Sequence, residues 1–329
     1  MNVVGHQDHI PVLLHESVRM MDPKDGGVYV DGTFGAGGHT KAFLDSADCT
    51  VIAIDRDPSA LAYAQALKEI YQERLIVVPG CFGDVANILQ SLGMVQVDGF
   101  MLDIGVSSMQ LDQKERGFSF AAEAPLDMRM NPEGDSASAS ELVNSAAEEE
   151  LASIIYRYGQ ERYSRRIAKK IVLHRQQESI ETTTQLADIV RSSIPGAHKE
   201  KIDPATRTFQ ALRIAVNDEL GQLETALEAS QSILVAGGKL VVISFHSLED
   251  GIVKGFLYKN SGKTSGVSRH IPDNPMIDGG EITFSLINKK PVTASNEELK
   301  NNPRARSAKL RAATRVQDSH THLVSEGGV

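Results

Sequence analysis

The chain has 329 residues, 41% of them hydrophobic and 23% charged, and a formal net charge of −9. At roughly 150 residues per domain that length suggests two domains, or one with a large insertion, and the composition excludes a chain too polar to build a core. The acidic balance excludes a uniformly basic nucleic-acid coat, although a local basic patch would suffice to hold phosphates.

Four early segments read as strands: Val28 to Asp31, Cys49 to Asp55, Leu75 to Val78 and Val97 to Asp103. Each is a short apolar run without alternation, as in a sheet covered on both faces. Helical spacing separates them at Lys41 to Asp45, Pro58 to Gln72 and Phe82 to Leu92. That alternation predicts a parallel, doubly wound sheet. The rhythm stops after Asp103. Gly117 to Gly134 reads as loop, then Ser140 to Tyr158, Gln160 to Gln177 and Thr184 to Ser193 as helices. An acidic run, Glu148 to Glu150, precedes a basic one formed by Arg162, Arg165, Arg166, Lys169, Lys170 and Arg175. Each run suits a solvated helix face, and the basic one suits an RNA-facing surface equally well. The α/β rhythm returns with a helix over about 217–234 ended by Gly237 and Gly238, then a strand from Lys239 to Phe245. After a helix near Leu248 to Tyr258 and a Gly-, Ser- and Pro-rich loop, Glu281 to Ile287 alternates as an antiparallel strand, with Ala308 to Val316 as its expected partner.

Two distant cysteines, Cys49 and Cys81, exclude a disulfide scaffold and a four-thiolate zinc site. The ten histidines are scattered, so no metal site is expected. The start shows no signal-peptide pattern, and no apolar run approaches the ~18 residues of a membrane span. A cytoplasmic protein without a membrane partner is expected.

The strongest local signal is Asp31-Gly32-Thr33-Phe34-Gly35-Ala36-Gly37-Gly38-His39-Thr40, which follows the first strand and opens the first helix. Glycines permit positive φ and close backbone approach, and free N–H groups at a helix start attract an anion. Asp55 ends the next strand, where a carboxylate can accept bonds from ribose hydroxyls. The loop suits S-adenosylmethionine (AdoMet). It departs from G-x-G-x-x-G because Thr40 replaces the third glycine, so a nucleotide cofactor fits less well, and a structural turn is the remaining reading. Phe82 is placed to stack on adenine, or to fill the core. Asp103 ends the fourth strand, where it can receive an ammonium group or cap the next turn.

At this point the chain resembles the ribosomal RNA small subunit methyltransferase H family. The resemblance is carried by His9 to Leu14, Asp31 to His39, Ala53 to Pro58, Leu102 to Ser108 with Gln110 to Asp112, Arg116 to Phe120, Pro125 to Met130, Asp203 to Ile214, Ser244 to Asp250 and Asn302 to Ser307, in the family's order. It implies a Rossmann-like class I AdoMet-dependent methyltransferase sheet with an inserted all-helical domain. The expected division is 1–110 with 209–316 for the AdoMet-binding domain, 111–208 for helical substrate recognition, and a flexible tail over 317–329. The implied activity is methylation of the exocyclic N4 of a decoding-centre cytosine in 16S rRNA, the small ribosomal subunit being the partner. The implied AdoMet site is Gly37, Gly38, His39, Asp55, Phe82, Asp103 and Gln110, of which His39 and Gln110 come from the family alone. One departure is Asp203, where the family often has His before Pro-Ala-Thr-Arg.

An exocyclic amine needs alignment rather than a covalent intermediate. The prolines and aromatic that many amino-methyltransferases carry after the fourth strand are missing from Ile104 to Ser108. A stacking ring could come from Phe118, Phe120 or Phe245, and no catalytic base is assigned. Neither cysteine follows the fourth strand, which disfavours carbon-5 methylation through a thiolate. His246 lines the sheet edge as a structural or a site residue. Arg207, Arg213, Arg304 and Arg306 are candidate phosphate contacts, the last two in a run continued by Lys309, Arg311 and Arg315.

Overall fold

The structure, a computed structural model, describes residues 11–196, 202–263 and 282–317. Most of the expected tail, the loop over 264–281, and His6, His9, His320 and His322 lie outside the described residues.

The expected parallel sheet is present and larger than the first four segments. Strands β1 (Val28–Asp31), β2 (Thr50–Asp55), β3 (Leu75–Pro79) and β4 (Val97–Asp103) run parallel, and β5 (Leu234–Ser244) continues parallel beside β4. Two further strands, β6 (Phe284–Leu286) and β7 (Lys309–Arg315), close the far edge antiparallel. The order is β3-β2-β1-β4-β5-β7-β6, so the sheet grows in opposite directions from β1 and β4. The register sets Val30 beside Ile52 and Phe100, and Leu102 beside Val242. These residues join one buried core with Leu240 and Phe284, while their neighbours Val51, Ala53, Met101, Val241 and Ile243 are buried on the opposite face. Both faces are covered, which is why the strands read as unbroken apolar runs.

Helices α1 (Leu14–Met21), α2 (Gly38–Ser46), α3 (Pro58–Tyr71) and α4 (Val85–Ser91) accompany the first strands. α3 starts where the Asp57 carboxylate accepts the Ser59 N–H and Pro58 supplies a preset φ. A helical stretch follows β4: α5 (Ser108–Asp112), α6 (Ala139–Ser145), α7 (Glu148–Gly159), α8 (Ser164–Arg175), α9 (Thr183–Ser193) and α10 (Ala205–Asn217). Then come α11 (Glu219–Ile233), α12 (Ser247–Asn260) and α13 (Asn296–Asn301).

The chain divides into two compact units, Met1–Gly105 with Gly221–Val329, and Val106–Leu220. The helical unit has its own core, in which Leu151, Ile155, Ile167, Ile171, Leu186 and Val190 are buried together. α10 belongs to it because Phe209 and Leu212 are members of that core.

Three details differ from the sequence pattern. The helix expected over 140–158 is two helices, because Ala147 is extended, and α7 restarts with Glu148, Glu149 and Glu150 against the positive end of its dipole. The helix expected to begin at Asn217 instead begins at Glu219, after Asp218 turns at φ 48°. Gly237 and Gly238 do not end that helix. They form a bulge inside β5, where pairing steps from Val97–Leu234 to Gly99–Lys239 and Gly237 takes φ +88°.

Candidate active site

The reversal of sheet order places a crevice at the carboxyl ends of β1 and β4, the usual ligand position in open α/β sheets. The glycine loop lies there. Gly32 donates to the Met101 carbonyl at 2.9 Å and Phe34 to the Ile54 carbonyl at 3.1 Å, so the loop is tied to both neighbouring strands. A Cβ on Gly32 would lie 2.7 Å from the Leu102 side chain and 3.0 Å from Phe82 Cβ, which only glycine avoids. Gly35 and Gly37 take φ +54° and +77°. A Cβ on Gly35 would make only an ordinary contact with the Thr33 carbonyl at 3.9 Å, whereas one on Gly37 would meet Leu67 and Phe34, and one on Gly38 would meet Pro11. Gly37 caps α2 without a side chain, leaving the first N–H groups of that helix open to an anion.

Carboxylates order this loop. Asp55 accepts the Gly35 N–H at 2.8 Å and the Asp57 N–H at 2.9 Å. Burial pushes its pKa up to about 6 against those two bonds. Asp31, buried at the end of β1, accepts from the Thr33 N–H at 3.1 Å and the Thr40 hydroxyl at 2.7 Å. Desolvation raises its pKa as well, with His39 and Thr40 opposing. Thr33 Oγ1 in turn accepts the Asp103 N–H at 2.6 Å. Asp31, Thr33, Gly35 and Thr40 thus position the site, and spacing alone gave no sign of it because Asp31 and Thr40 meet only when the loop closes and the partners of Thr33 Oγ1 and the Gly35 N–H lie on β4 and β2.

His39 is buried with Nε2 3.5 Å from Asp103 Oδ2. Burial disfavours its charge, but Asp103 and Asp31 outweigh it and leave the pKa raised. Both His39 ring nitrogens and Asp103 Oδ1 are buried without a hydrogen-bond partner among the described residues. Phe82 begins a short 3₁₀ turn after β3 and packs against the sheet core beside Gly32.

The fold therefore gathers Gly37, Gly38, His39, Asp55, Phe82 and Asp103 at one sheet edge. Gln110 belongs to the helical unit, where it is buried in a capping box: its N–H donates to Ser107 Oγ and its Oε1 accepts the Ser107 N–H at 2.9 Å. Of the three rings, Phe118 is buried in the helical core and Phe120 packs edge-on against Phe209 at 4.7 Å. Phe245 instead lies beside Gly105 at the carboxyl end of β4. His246 caps α12 in a reciprocal contact with the fully buried Glu249. Asp203 pairs with Arg191, at 2.8 Å, and accepts the Ala205 N–H at the start of α10.

The phosphate candidates separate. Arg213 does not present a free guanidinium: it grips the buried Glu219 through Nε and Nη2, at 2.7 and 2.9 Å. Arg207 is exposed and reaches Glu161 at 3.3 Å. Arg304 and Arg306 are exposed on a 3₁₀ turn, while behind them Lys309 and Arg311 share the single Asp250 carboxylate and Arg315 donates to backbone carbonyls.

A family model, the MraW methylase family, matches residues 6–316. The chain is 53% identical over 310 residues to Ribosomal RNA small subunit methyltransferase H of Paramagnetospirillum magneticum, covering 94% of this chain and 96% of that protein. Identity to the protein of the same name from Rhodospirillum rubrum is 48% over 322 residues, covering 97% and 98%. An rRNA methylase structure from Streptococcus thermophilus is similar with a TM-score of 0.40 at 10% identity, covering 96% of this chain and 100% of that one. The strand order, not that last likeness, carries the architecture. With its match running through nearly the whole sequence, the chain belongs to the MraW methylase family, and it is an AdoMet-dependent methyltransferase.

Proposed function

We propose that the chain methylates 16S rRNA of the small ribosomal subunit at the exocyclic N4 of a decoding-centre cytosine, by direct in-line transfer from AdoMet. The observation that carries the donor half is the edge of β1, β2 and β4. There an open helix N-terminus, a glycine cradle and unpartnered buried atoms of His39 and Asp103 stand together. These residues fit the cofactor. The α2 N-terminus would take its carboxylate, Asp103 its ammonium group, Asp55 its ribose hydroxyls, and Phe82 its adenine face. Bound there, AdoMet supplies a methyl group on a positively charged sulfur.

The acceptor half rests on the relatives' names and on chemistry. The N4 lone pair is delocalised into the ring, so the protein's task is to align nitrogen with the methyl carbon and to accept a hydrogen bond from the amine as it pyramidalises. Phe245, beside Gly105, is the ring best placed to stack on a base at this edge. A thiolate route to carbon 5 gains no support: Cys49 is buried with its pKa raised by desolvation, and Cys81 donates to Gln222 at 2.8 Å. The helical unit serves substrate recognition, and Gln110 completes the proposed AdoMet set. The test is incubation of the protein with AdoMet and small subunits lacking the modification, followed by nucleoside mass analysis. N4-methylcytidine in the decoding region is the expected product, and methyl incorporation on carbon 5, or none, would refute the reading.

A further inference from the structure

We propose that the outward face of α8 is a phosphate track for the RNA strand, and that the groove at its start receives a base. The proposal rests on the rRNA reading above and assigns the surface that grips the substrate's backbone. α8 divides cleanly: Ile167, Ala168 and Ile171 are buried in the helical core, while Arg165, Arg166, Lys169 and Lys170 are exposed. Positions 165, 166, 169 and 170 recur at helical spacing, so the four cations form one stripe. Lys170 donates to the Ser192 carbonyl at 3.2 Å. Among the described residues, Arg165, Arg166 and Lys169 have no carboxylate within ion-pair distance, in contrast to Arg129, Arg191, Arg213 and Arg311, each of which holds one. A face that gathers four exposed cations, three of them without a carboxylate partner among the described residues, is one that an otherwise acidic chain can offer to a polyanion.

The adjoining groove has a volume of about 730 Å³ and is lined by Tyr156, Arg162 and Arg165 together with Glu148, Glu149 and Ser153. The two glutamates disfavour a phosphate there. A mixed lining of an aromatic ring, carboxylates and guanidinium groups suits a neutral base instead. Tyr156 is 64% exposed, and Arg162 is held by stacking on the Tyr163 ring at 4.7 Å. Backbone on the stripe and a base on Tyr156 is the division of labour expected for a single strand.

The test uses the full chain with poly(U) as a single-stranded polyanion. R165Q/R166Q/K169Q removes three contacts, so the slope of log affinity against log salt should become shallower by about 2, at roughly 0.7 per contact. R165K/R166K keeps the charge and should keep the slope. Tyr156→Ala should weaken binding about fivefold or more without altering the slope, because stacking releases no counterions. AdoMet affinity and unfolding temperature should stay at their wild-type values in all variants. Equal salt slopes for wild type and the triple variant overturn the track, and an unaffected Tyr156→Ala overturns the base groove. Methyl transfer to small subunits is measured beside these. A triple variant that transfers normally with an unchanged slope refutes the track and leaves the proposed function standing. A triple variant with the shallower slope, beside a wild type that transfers no methyl, does the reverse.

Discussion

Replacing Asp55 by Asn should remove the pH dependence of the cofactor-free protein's stability between pH 4 and 7 while impairing it as an enzyme. The carboxylate accepts two backbone N–H groups, yet burial raises its pKa from 3.8 to about 6. An acid whose pKa is raised by folding holds more protons in the native state, so its contribution to stability is complete below pH ~4 and is lost as pH rises through ~6. The shift is about 2 units, and at 1.36 kcal/mol per unit the loss reaches about 3 kcal/mol. Asp55 is only partly buried by surface area, and water reaching the carboxylate reduces that figure, so 1–3 kcal/mol is the working range. An amide matches the protonated acid in shape and charge but keeps only one acceptor oxygen, so its NH2 faces one of the two backbone N–H groups and that bond is lost, at about 1–3 kcal/mol. The variant should therefore fall below wild type near pH 4 and recover that margin of about 1–3 kcal/mol by pH 7, its own profile being flat. Hydrogen exchange at the β2 amides is the direct readout, since the chain has two units and no tryptophan. AdoMet binding should move oppositely. Ribose hydroxyls donate to a carboxylate, so wild-type affinity should tighten as pH rises through about 6. The variant should bind about tenfold or more weakly, with a flat profile, as loss of charge-assisted bonds implies. Parallel stability profiles for the two proteins from pH 4 to 7 would refute the argument.

Two other substitutions test the framework. Gly37→Ala must hold a Cβ at φ +77° within 2.6 Å of Leu67 and Phe34, which should cost about 2–4 kcal/mol in thermal unfolding and lower AdoMet affinity. Arg213→Ala leaves Glu219 buried without its bidentate partner, which should cost about 3–5 kcal/mol yet leave the salt dependence of poly(U) binding unchanged.

The sheet was legible because its strands are buried on both faces and its helices begin with readable chemistry. The periodicity alone placed β1 and β4, and Pro58 marked the start of α3. The loop and Asp55 were legible for the same reason: glycines at a strand-to-helix turn and an acid at a strand end are local features. What was hidden depends on pairing. The bulge at Gly237 looks like a helix stop until β4 lies beside it. Asp31 reads as the first letter of a glycine motif until Thr40 closes onto it across nine residues. α1, α5 and α13 are too short to show a period against their loops.

Charge shows the same limit most sharply. In the sequence, Arg304, Arg306, Lys309, Arg311 and Arg315 form a run without an acid, a stronger phosphate candidate than the mixed neighbourhood of α8. Folding narrows that difference. Asp250, some 60 positions upstream on α12, reaches both Lys309 and Arg311, at 3.1 and 2.7 Å. Arg315 turns inward to carbonyls. The acidic run at Glu148 to Glu150, only a few residues before the basic one, looks able to neutralise it, yet among the described residues it makes no ion pair with Arg165, Arg166 or Lys169. A cation matters to a polyanion only if the fold leaves it unneutralised, and that depends on partners a hundred residues away as readily as on neighbours. Counting charges along the chain therefore overstates the cationic face of the last strand, and counting them after pairing leaves two candidates, the α8 stripe and the exposed pair Arg304 and Arg306.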